Sequence, residues 1–322
     1  MKSLRLVIAA LLAALFLPYA FAEEPFPSKT LHIVIPFPPA GPPDIMARLT
    51  APRMSELMGR PVIVENRAGA TGTIGTAAVA KSAPDGYVLL LTPNQPIVIA
   101  PALMQIPYDP AKDLLPVVAF GESTNALVVS AASPIHTLAD LIAMAKTKPG
   151  AVSFSSSGQG SVGHLTGEMI NQLAGIQMLH VPYAGAGQSI SAVVAGDVTV
   201  SGSSIQQSLP LLKAGKLRAL GVTGLKPSKY LPELKPLSDQ GLKGLSITVW
   251  YAAYLPAKTP RAVAQAWRDV LFKVFREPAV EQKVDSMGIE GGVQEPDAIP
   301  ARIETELAQW RKLVAAAHIT TN

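Results

Sequence analysis

Along most of this chain, short apolar runs alternate with segments whose apolar residues recur at helical spacing. Leu31 to Ile35, Pro61 to Glu65 and Tyr87 to Thr92 are largely apolar and end at turn residues, which is typical of buried strands. A helix is predicted after the first run, with Asp44 as its N-cap and its end near Gly59. This alternation predicts an α/β fold with mostly parallel sheets flanked by helices.

The same alternation repeats in the middle of the chain. Thr137 and Asp140 have the spacing of a capping box, and Gly121 to Thr124 is interpreted as a flexible crossover before that repeat. Later, Thr259 is expected to cap a helix that opens with Pro260. Further strands and helices are predicted at Val152 to Ser155, Ser161 to Ala174, Met178 to Val181, Gln188 to Ala195, Asp197 to Val200, Arg218 to Val222 and Ile299 to Ala317.

Chain length favours two lobes over one, because single cores stop growing near ~250–300 residues. We expect residues 1–22 to be a signal peptide, 23–123 together with 226–322 to form lobe 1, and 124–225 to form lobe 2. The fold class predicted for this arrangement is α/β with two lobes, each a mostly parallel sheet flanked by helices.

The N-terminus has the pattern of a secretory signal. Lys2 and Arg5 precede an apolar run that is shorter than the ~20 residues of a membrane span, and cleavage is expected after Ala22. The alternative is an uncleaved anchor. Removal of the two basic residues lowers the formal net charge from +4 to +2, and the chain has no cysteine. A soluble periplasmic monomer without nucleic-acid or disulfide chemistry is predicted.

The loop from Pro36 to Asp44, with sequence PFPPAGPPD, joins a strand to a helix with little rotational freedom. Its prolines leave Phe37, Ala40 and Gly41 as backbone donors beside the helix start. A rigid loop with donors at a helix N-terminus can hold an anion. The four non-proline residues of the loop, Phe37, Ala40, Gly41 and Asp44, are therefore candidate ligand residues.

A second strand-to-helix loop, from Ser155 to His164, is rich in serine and glycine. Its N–H groups and hydroxyls could converge on one carboxylate, and the candidate ligand residues are Ser155, Ser157, Gly158, Gln159, Gly160, Ser161 and His164. The same glycines match the dinucleotide fingerprint, but no acid follows at the required distance. Two alternatives for His164 remain: a structural histidine that bonds a neighbouring loop, or a Ser161 and His164 nucleophile pair.

Two other loops follow predicted strands and are candidate contributors. Tyr183 offers an aromatic face and Gly185 a close backbone approach, while Thr92 and Gln95 offer polar side chains. Ligands in open α/β sheets lie beyond the carboxyl ends of strands. For each loop, a purely structural turn or helix cap is the alternative.

Enzyme and metal signatures are largely missing from the sequence. It has no G-x-S-x-G elbow, no Walker loop and no H-E-x-x-H, and its five histidines lack ligand spacing. We therefore expect no catalytic residues, no metal and no cofactor.

Several ordered motifs together resemble one family. IVIPFPPAGPPDIMAR, GRPVIVENRAGATGTIGTAAVAKSAPDGY, SSSGQGSVGHL, HVPYAGAG and LLKAGKLRALGVTG are similar to the Bug-type receptors of tripartite tricarboxylate transporters, from about Pro27 to Ile319. The resemblance implies a two-lobed periplasmic binding protein of the type II kind, a receptor that delivers a small organic acid to a two-component membrane permease. It also implies that the loops at 37–44 and 155–164 grip opposite ends of the ligand.

Departures from the family pattern bear on the ligand. Ala40 stands where relatives usually have glycine, which narrows that loop by a methyl group. Gln188 differs too, and Ser203 lies where many relatives carry an acid near the cleft. We therefore expect a di- or tricarboxylate or aromatic acid without an amine. The alternatives are an exported serine hydrolase using Ser161 and His164, and a ligand sensor without a transport role.

Overall fold

The computed structural model describes residues 25–317 and Ile319, so the predicted signal peptide and its cleavage site lie outside the described residues. The strands are β1 (Leu31–Ile35), β2 (Val62–Asn66), β3 (Val88–Pro93), β4 (Leu114–Ser130), β5 (Ser153–Ser156), β6 (Leu179–Pro182), β7 (Val200–Ser204), β8 (Leu217–Val222) and β9 (Thr248–Pro256). The helices are α1 (Pro42–Met58), α2 (Thr73–Ala80), α3 (Ala100–Leu103), α4 (Leu138–Thr147), α5 (Val162–Ala174), α6 (Ala186–Ala195), α7 (Ile205–Lys213), α8 (Arg261–Phe275), α9 (Pro278–Ser286) and α10 (Ile299–Ala316).

The strands form two sheets that share β4. The first has the order β2-β1-β3-β9-β4, and the second contains β8, β4, β7, β5 and β6. β4 pairs with β9 as far as Thr124, opposite Thr248, and pairs with β7 from Asn125, opposite Ser204. The chain therefore passes from one sheet to the other within a single strand.

The direction of β4 makes the two sheets face each other. β1, β2 and β3 are parallel and β9 runs against both β3 and β4, so β4 runs in the direction of β3. In the second sheet β5, β6 and β7 are parallel, and β4 runs against β7 and β8. The carboxyl ends of β1 to β3 and of β5 to β8 therefore point toward the same crossing.

Helix α10 packs across this arrangement. One hydrophobic core cluster includes Leu90 of β3, Phe154 of β5 and Trp310 of α10, so it draws on both sheets and the C-terminal helix. A second cluster lies on the other face of the first sheet and contains Met46 of α1 and Trp267 of α8. Along the described ranges, no helix combines the length and apolar character needed to cross a membrane.

Several predicted elements are confirmed. β1 has the predicted bounds, α5 begins one residue later than expected, and the Thr137 and Asp140 capping box is present in full. The mostly parallel α/β class is also confirmed, with β9 as the antiparallel member of the first sheet. Helices α7 and α9 and strand β9 were not predicted as such.

Three local predictions were wrong. Asp44 is not the N-cap of α1: Gly41 is, with Pro42 at the first helical position, because the fixed φ of proline suits that position. Gly121 to Thr124 is not a flexible crossover but part of β4. Thr259 does not cap α8, since Pro260 holds that position and the Thr259 hydroxyl donates to the carbonyl of Pro256 at 2.7 Å.

Candidate functional site

Five chain segments that follow strands or end them lie at the crossing between the sheets. Because the carboxyl ends of both parallel sets point there, the loops after β1, β3, β5 and β6 and the end of β7 are directed toward one cleft. These segments carry all the predicted ligand residues: Phe37, Ala40, Gly41, Asp44, Thr92, Gln95, Ser155, Ser157, Gly158, Gln159, Gly160, Ser161, His164, Tyr183, Gly185 and Ser203.

The proline-rich loop is braced from inside by Asp44. Its carboxylate is only 3% exposed and accepts from the N–H of Ala40 at 3.0 Å, the amide of Asn66 at 2.9 Å and the guanidinium of Arg48 at 3.0 Å. Burial raises the pKa of Asp44, but these donors together hold it below its usual value. The Ala40 N–H, predicted as a free donor, is therefore already used within the loop.

Ala40 adopts a conformation that favours glycine. Its φ is +69°, in the left-handed region, and its side chain is exposed. Phe37 is half-buried, and its ring lies where a methyl group at Gly72 would come within 3.0 Å. Gly72 thus lets the Phe37 ring pack at the base of the loop.

The serine- and glycine-rich loop uses several of its donors internally. Gly158 N–H donates to the hydroxyl of Ser156 at 3.2 Å, Ser161 N–H to the carbonyl of Gly158 at 3.2 Å, and Gly160 N–H to Nδ1 of His164 at 3.0 Å. Gly158 and Gly160 have φ of +121° and +73°. Fewer loop amides are therefore available to an anion than the sequence suggested. The first N–H groups of α5, at Val162 and Gly163, have no partner within their helix.

Ser155 lies inside the lobe. Its side chain is fully buried, and its hydroxyl donates to the carbonyl of Ser189 in α6 at 3.1 Å. Ser189 Oγ donates to Ser155 Oγ at 2.8 Å, and Ser201 Oγ donates to the carbonyl of Ser155 at 3.3 Å. These three serines join β5, β7 and α6, whereas Ser157 is exposed in the loop itself.

His164 and Ser161 are close but not arranged as a base and nucleophile. Ser161 is the N-cap of α5, and its hydroxyl accepts from the backbone N–H of His164 at 3.3 Å. The His164 ring instead accepts from Gly160 through Nδ1. The geometry thus matches the alternative of a structural histidine that bonds a neighbouring loop.

Helix α6 presents an open N-terminus. Its N-cap is Gly185, and its first positions carry N–H groups that have no partner within the helix. A methyl group at Gly185 or Gly187 would meet no atom within 4 Å, so the space in front of this turn is open. Tyr183, half-buried, donates its N–H to the carbonyl of Ser156 at 3.0 Å, which fixes this loop beside the previous one.

Two predicted residues carry buried polar atoms without a hydrogen-bond partner. They are Gln95 Oε1, after β3, and Ser203 Oγ, in β7. Thr92 is buried and donates to the carbonyl of Pro93 at 2.9 Å. Asn94, between them, donates to the carbonyl of Thr248 at 3.1 Å and leaves its Oδ1 unpartnered.

The larger of two cavities borders the β4 crossing, because Thr124 and Thr248 line it. The larger, about 890 Å³, includes Glu122, Trp250, Arg302 and Glu306 in its lining, and a second of about 520 Å³ lies between Phe120 and helix α9. None of the predicted ligand residues lines either cavity. Across residues 25–317, no cluster of three potential metal-ligating side chains is present.

Sequence reasoning missed the residues that support the loops. Asn66 closes the first loop by donating to the carbonyl of Phe37 at 3.1 Å, and its position at the end of β2 was the available signal. His180 stacks on His164 and bonds Ser156, and Glu168 lies one turn along the helix from His164, but the four residues share no sequence motif. Arg48 also supports the first loop through its ion pair with Asp44.

Comparison with known proteins gives a consistent picture. The sequence profile described as "Tripartite tricarboxylate transporter family receptor" matches residues 46–319. Protein BugT of Bordetella pertussis is 30% identical over 316 residues, which cover 98% of this chain and 97% of BugT.

Two solved structures have the same architecture. Rpa4515 of R. palustris, solved with adipate, matches with a TM-score of 0.74 at 30% identity. The match covers 92% of this chain and 99% of the Rpa4515 chain. MatC from Rhodopseudomonas palustris, with bound malate, has a TM-score of 0.71 at 25% identity over 90% of this chain and 100% of its own. The two-lobed fold and the resemblance found in the motifs are thereby confirmed, and this chain belongs to the receptor family of tripartite tricarboxylate transporters.

Proposed function

We propose that this protein binds a dicarboxylate without an amine in the cleft at the β4 crossing. The observation that carries the proposal is the convergence of three helix N-termini, those of α1, α5 and α6, on that crossing from both sheets. Each N-terminus carries a partial positive charge. Helices α5 and α6 also have N–H groups without partners inside the helix, whereas the first two residues of α1, Pro42 and Pro43, have no N–H. Helix N-termini that face each other across a cleft suit a ligand with a carboxylate at each end.

Side-chain charge supports an amine-free ligand. Neither Lys nor Arg occurs in residues 36–44, 155–164 and 183–188. The negative charge of the ligand would therefore have to be stabilised by helix N-termini and by hydrogen bonds from hydroxyls. The one acid in these segments, Asp44, is buried and already paired with Arg48. An ammonium group would therefore find no carboxylate in these segments, whereas adipate and malate, which relatives bind, have no amine.

The predicted residues divide into two roles within this proposal. Gly41, Ser157, Gln159, Tyr183, Gly185, Gln95 and Ser203 are proposed to face the ligand, together with the first amides of α5 and α6. Asp44, Ala40, Ser155, Thr92, Gly158, Gly160, Ser161 and His164 make the internal bonds or turns that hold the loops, and Phe37 packs at the base of the first. The tie between Asp44 and Ala40 is the clearest case of the second role.

The remaining proposals concern the cellular role. Residues 23–123 with 226–322, and residues 124–225, are proposed as two lobes that close on the ligand, because β4 changes sheets after Thr124. A signal cleaved after Ala22 and a periplasmic monomer are proposed from the sequence. Delivery to a two-component permease is proposed because the chain belongs to this receptor family. Family membership favours this receptor role over the serine hydrolase.

Isothermal calorimetry tests the ligand class. We expect binding of malate or adipate to the mature chain at pH 7.5, and no measurable binding of aspartate or glutamate, which differ by an amine. Tight binding of the amino acids with none of the dicarboxylates would overturn the proposal. Ligand-induced thermal stabilisation gives an independent readout, since a ligand that binds only the folded state raises its apparent stability.

A further inference from the structure

A stack of two histidines and a phenylalanine lies beneath the serine- and glycine-rich loop. The ring centroids of His164 and His180 are 4.0 Å apart with an interplanar angle of 18°, and His180 lies 4.9 Å from Phe154 on its other side. His164 is 6% exposed. A ring so buried, in contact with the loop, can control the shape of that loop.

The Gly160 bond fixes the protonation state of His164. Because an N–H donates to Nδ1 at 3.0 Å, that nitrogen must be an unprotonated acceptor, and in the neutral ring the proton is on Nε2. Protonation at Nδ1 would place two N–H groups against each other. Gly160 would then have to move away. Its φ of +73° lies in the left-handed region, so the turn would lose the bond that helps to hold this conformation.

The other groups around His164 set the cost of its protonation. Glu168 on the same helix has Oε1 3.8 Å from His164 Nε2, and its own pKa is raised by burial. From β6 comes His180, whose Nε2 bonds the Ser156 hydroxyl of β5 at 2.7 Å. Strand β7 approaches α5 at Gly202, which carries no charge. Helix α10 contacts α5 further along, where the uncharged Gln309 donates to Met169.

We propose that His164 is a positioning residue: its neutral ring holds the loop from Ser157 to Ser161 in the shape that binds the ligand, and its protonation releases the loop and weakens binding. This inference rests on the proposed function, because it assigns that loop to the ligand. It adds a pH dependence to the receptor.

The direction of the pH effect follows from burial. Burial lowers the pKa of His164 from its usual value, so the ring is neutral at neutral pH. The bond to Gly160 is therefore intact at the ordinary histidine pKa of ~6.5 and is lost only as pH falls through the lowered pKa of the folded protein. The receptor therefore holds its ligand at neutral pH and releases it in acid.

Two amide substitutions separate the hydrogen bond to Gly160 from the bulk of the side chain. In His164→Asn the amide oxygen can occupy the place of Nδ1 and accept from Gly160 without titrating, whereas in His164→Gln the amide reaches the place of Nε2. Using adipate and malate as probes, we expect wild-type affinity to fall several-fold more than that of His164→Asn between pH 7.5 and 4.5. The ligand also titrates in this range, so the difference between the two proteins is the measure. His164→Gln should bind at least tenfold more weakly at both pH values.

Nuclear magnetic resonance of the ligand-free wild type gives a readout independent of ligand identity. The ¹⁵N shifts of the His164 ring should show an unprotonated Nδ1 at pH 7.5, and the Gly160 amide signal should titrate with that ring. Equal pH dependence in wild type and His164→Asn, or a protonated Nδ1 at pH 7.5, would overturn the inference while leaving the receptor function intact. If neither probe binds at any pH, the proposed ligand class fails, and the ring and amide titration still decides whether His164 holds the loop.

Discussion

The guanidinium of Arg302, on helix α10, donates to the carboxylate of Glu122 in β4 at 2.6 Å. Arg302 also donates to Glu306 at 2.6 Å, and Glu306 accepts from the indole N–H of Trp250 in β9 at 3.0 Å. Glu122 and Trp250 are themselves paired across β4 and β9. The C-terminal helix is thereby tied to both strands at the point where the sheets meet.

Replacing Arg302 should destabilise the protein. Arg302→Ala leaves Glu306, whose side chain is 17% exposed, without its cation, and we expect the free energy of unfolding to fall by about 2 kcal/mol. Urea unfolding at pH 7.5 measures the change. Arg311→Ala, an exposed position on the same helix, is the matched control and should stay within about 0.5 kcal/mol of the wild type. Equal effects of the two variants would show that the Arg302 network does not stabilise the fold.

Ala40→Gly should stabilise the protein. The left-handed φ of +69° costs an alanine about 1–2 kcal/mol, which exceeds the entropy that glycine loses on folding, so a gain of about 0.5–1 kcal/mol is expected. Ala143→Gly, at an exposed position inside α4, should instead lose about 1 kcal/mol. Thermal unfolding of both variants checks the opposite signs. A wider ligand profile for Ala40→Gly would show that the methyl group also selects the ligand.

Two buried serines should respond differently to truncation. Ser203 Oγ has no partner, so Ser203→Ala should change the unfolding free energy by less than about 0.5 kcal/mol while weakening ligand binding. Ser189 bonds Ser155 at 2.8 Å, so Ser189→Ala should lose about 1–2 kcal/mol. Urea unfolding and calorimetry on both variants measure the two effects. Unchanged affinity in Ser203→Ala would remove this hydroxyl from the proposed ligand site.

Acid should destabilise the folded state through His180. Burial, and then the charge of His164, lower the pKa of His180 to about 4. Because the folded-state pKa lies below the ordinary value of ~6.5, the neutral ring stabilises the fold fully above that value, and this stability is lost as pH falls toward 4.

The loss from pH 7.5 to 4.5 should be about 2 kcal/mol greater in wild type than in His180→Gln, whose amide can keep the Ser156 bond without titrating. Urea unfolding at several pH values measures it. The same acid loss in both proteins would exclude His180 as the cause.

Local signals predicted much of the fold and of the site. The apolar run of β1, the Thr137 capping box and the Ser161 helix start depend on neighbouring residues, and each was recognised from the sequence. The position of Asp44 was misread because an acid at the third helical position and an acid at the N-cap look alike when prolines precede both.

The rest depends on distant contacts. The facing arrangement of the loops follows from β4 running with β3 in one sheet and against β7 in the other, and no local pattern encodes those pairings. The brace between Asp44 and Asn66 and the stack of His164 on His180 likewise join residues that are far apart in sequence. Such contacts also used donors, at Ala40 and Gly160, that the sequence alone presented as available.

The passage of β4 through both sheets imposes a parity rule on chain length. Successive strand residues face opposite sides, so one residue inserted between Glu122 and Asn125 either forms a bulge or turns the second sheet over relative to the first. In the second case, the loops after β5 and β6 would open away from those after β1 and β3. Two inserted residues would preserve the facing and only lengthen the span. The even or odd length of one strand thus decides whether the two halves of the cleft meet.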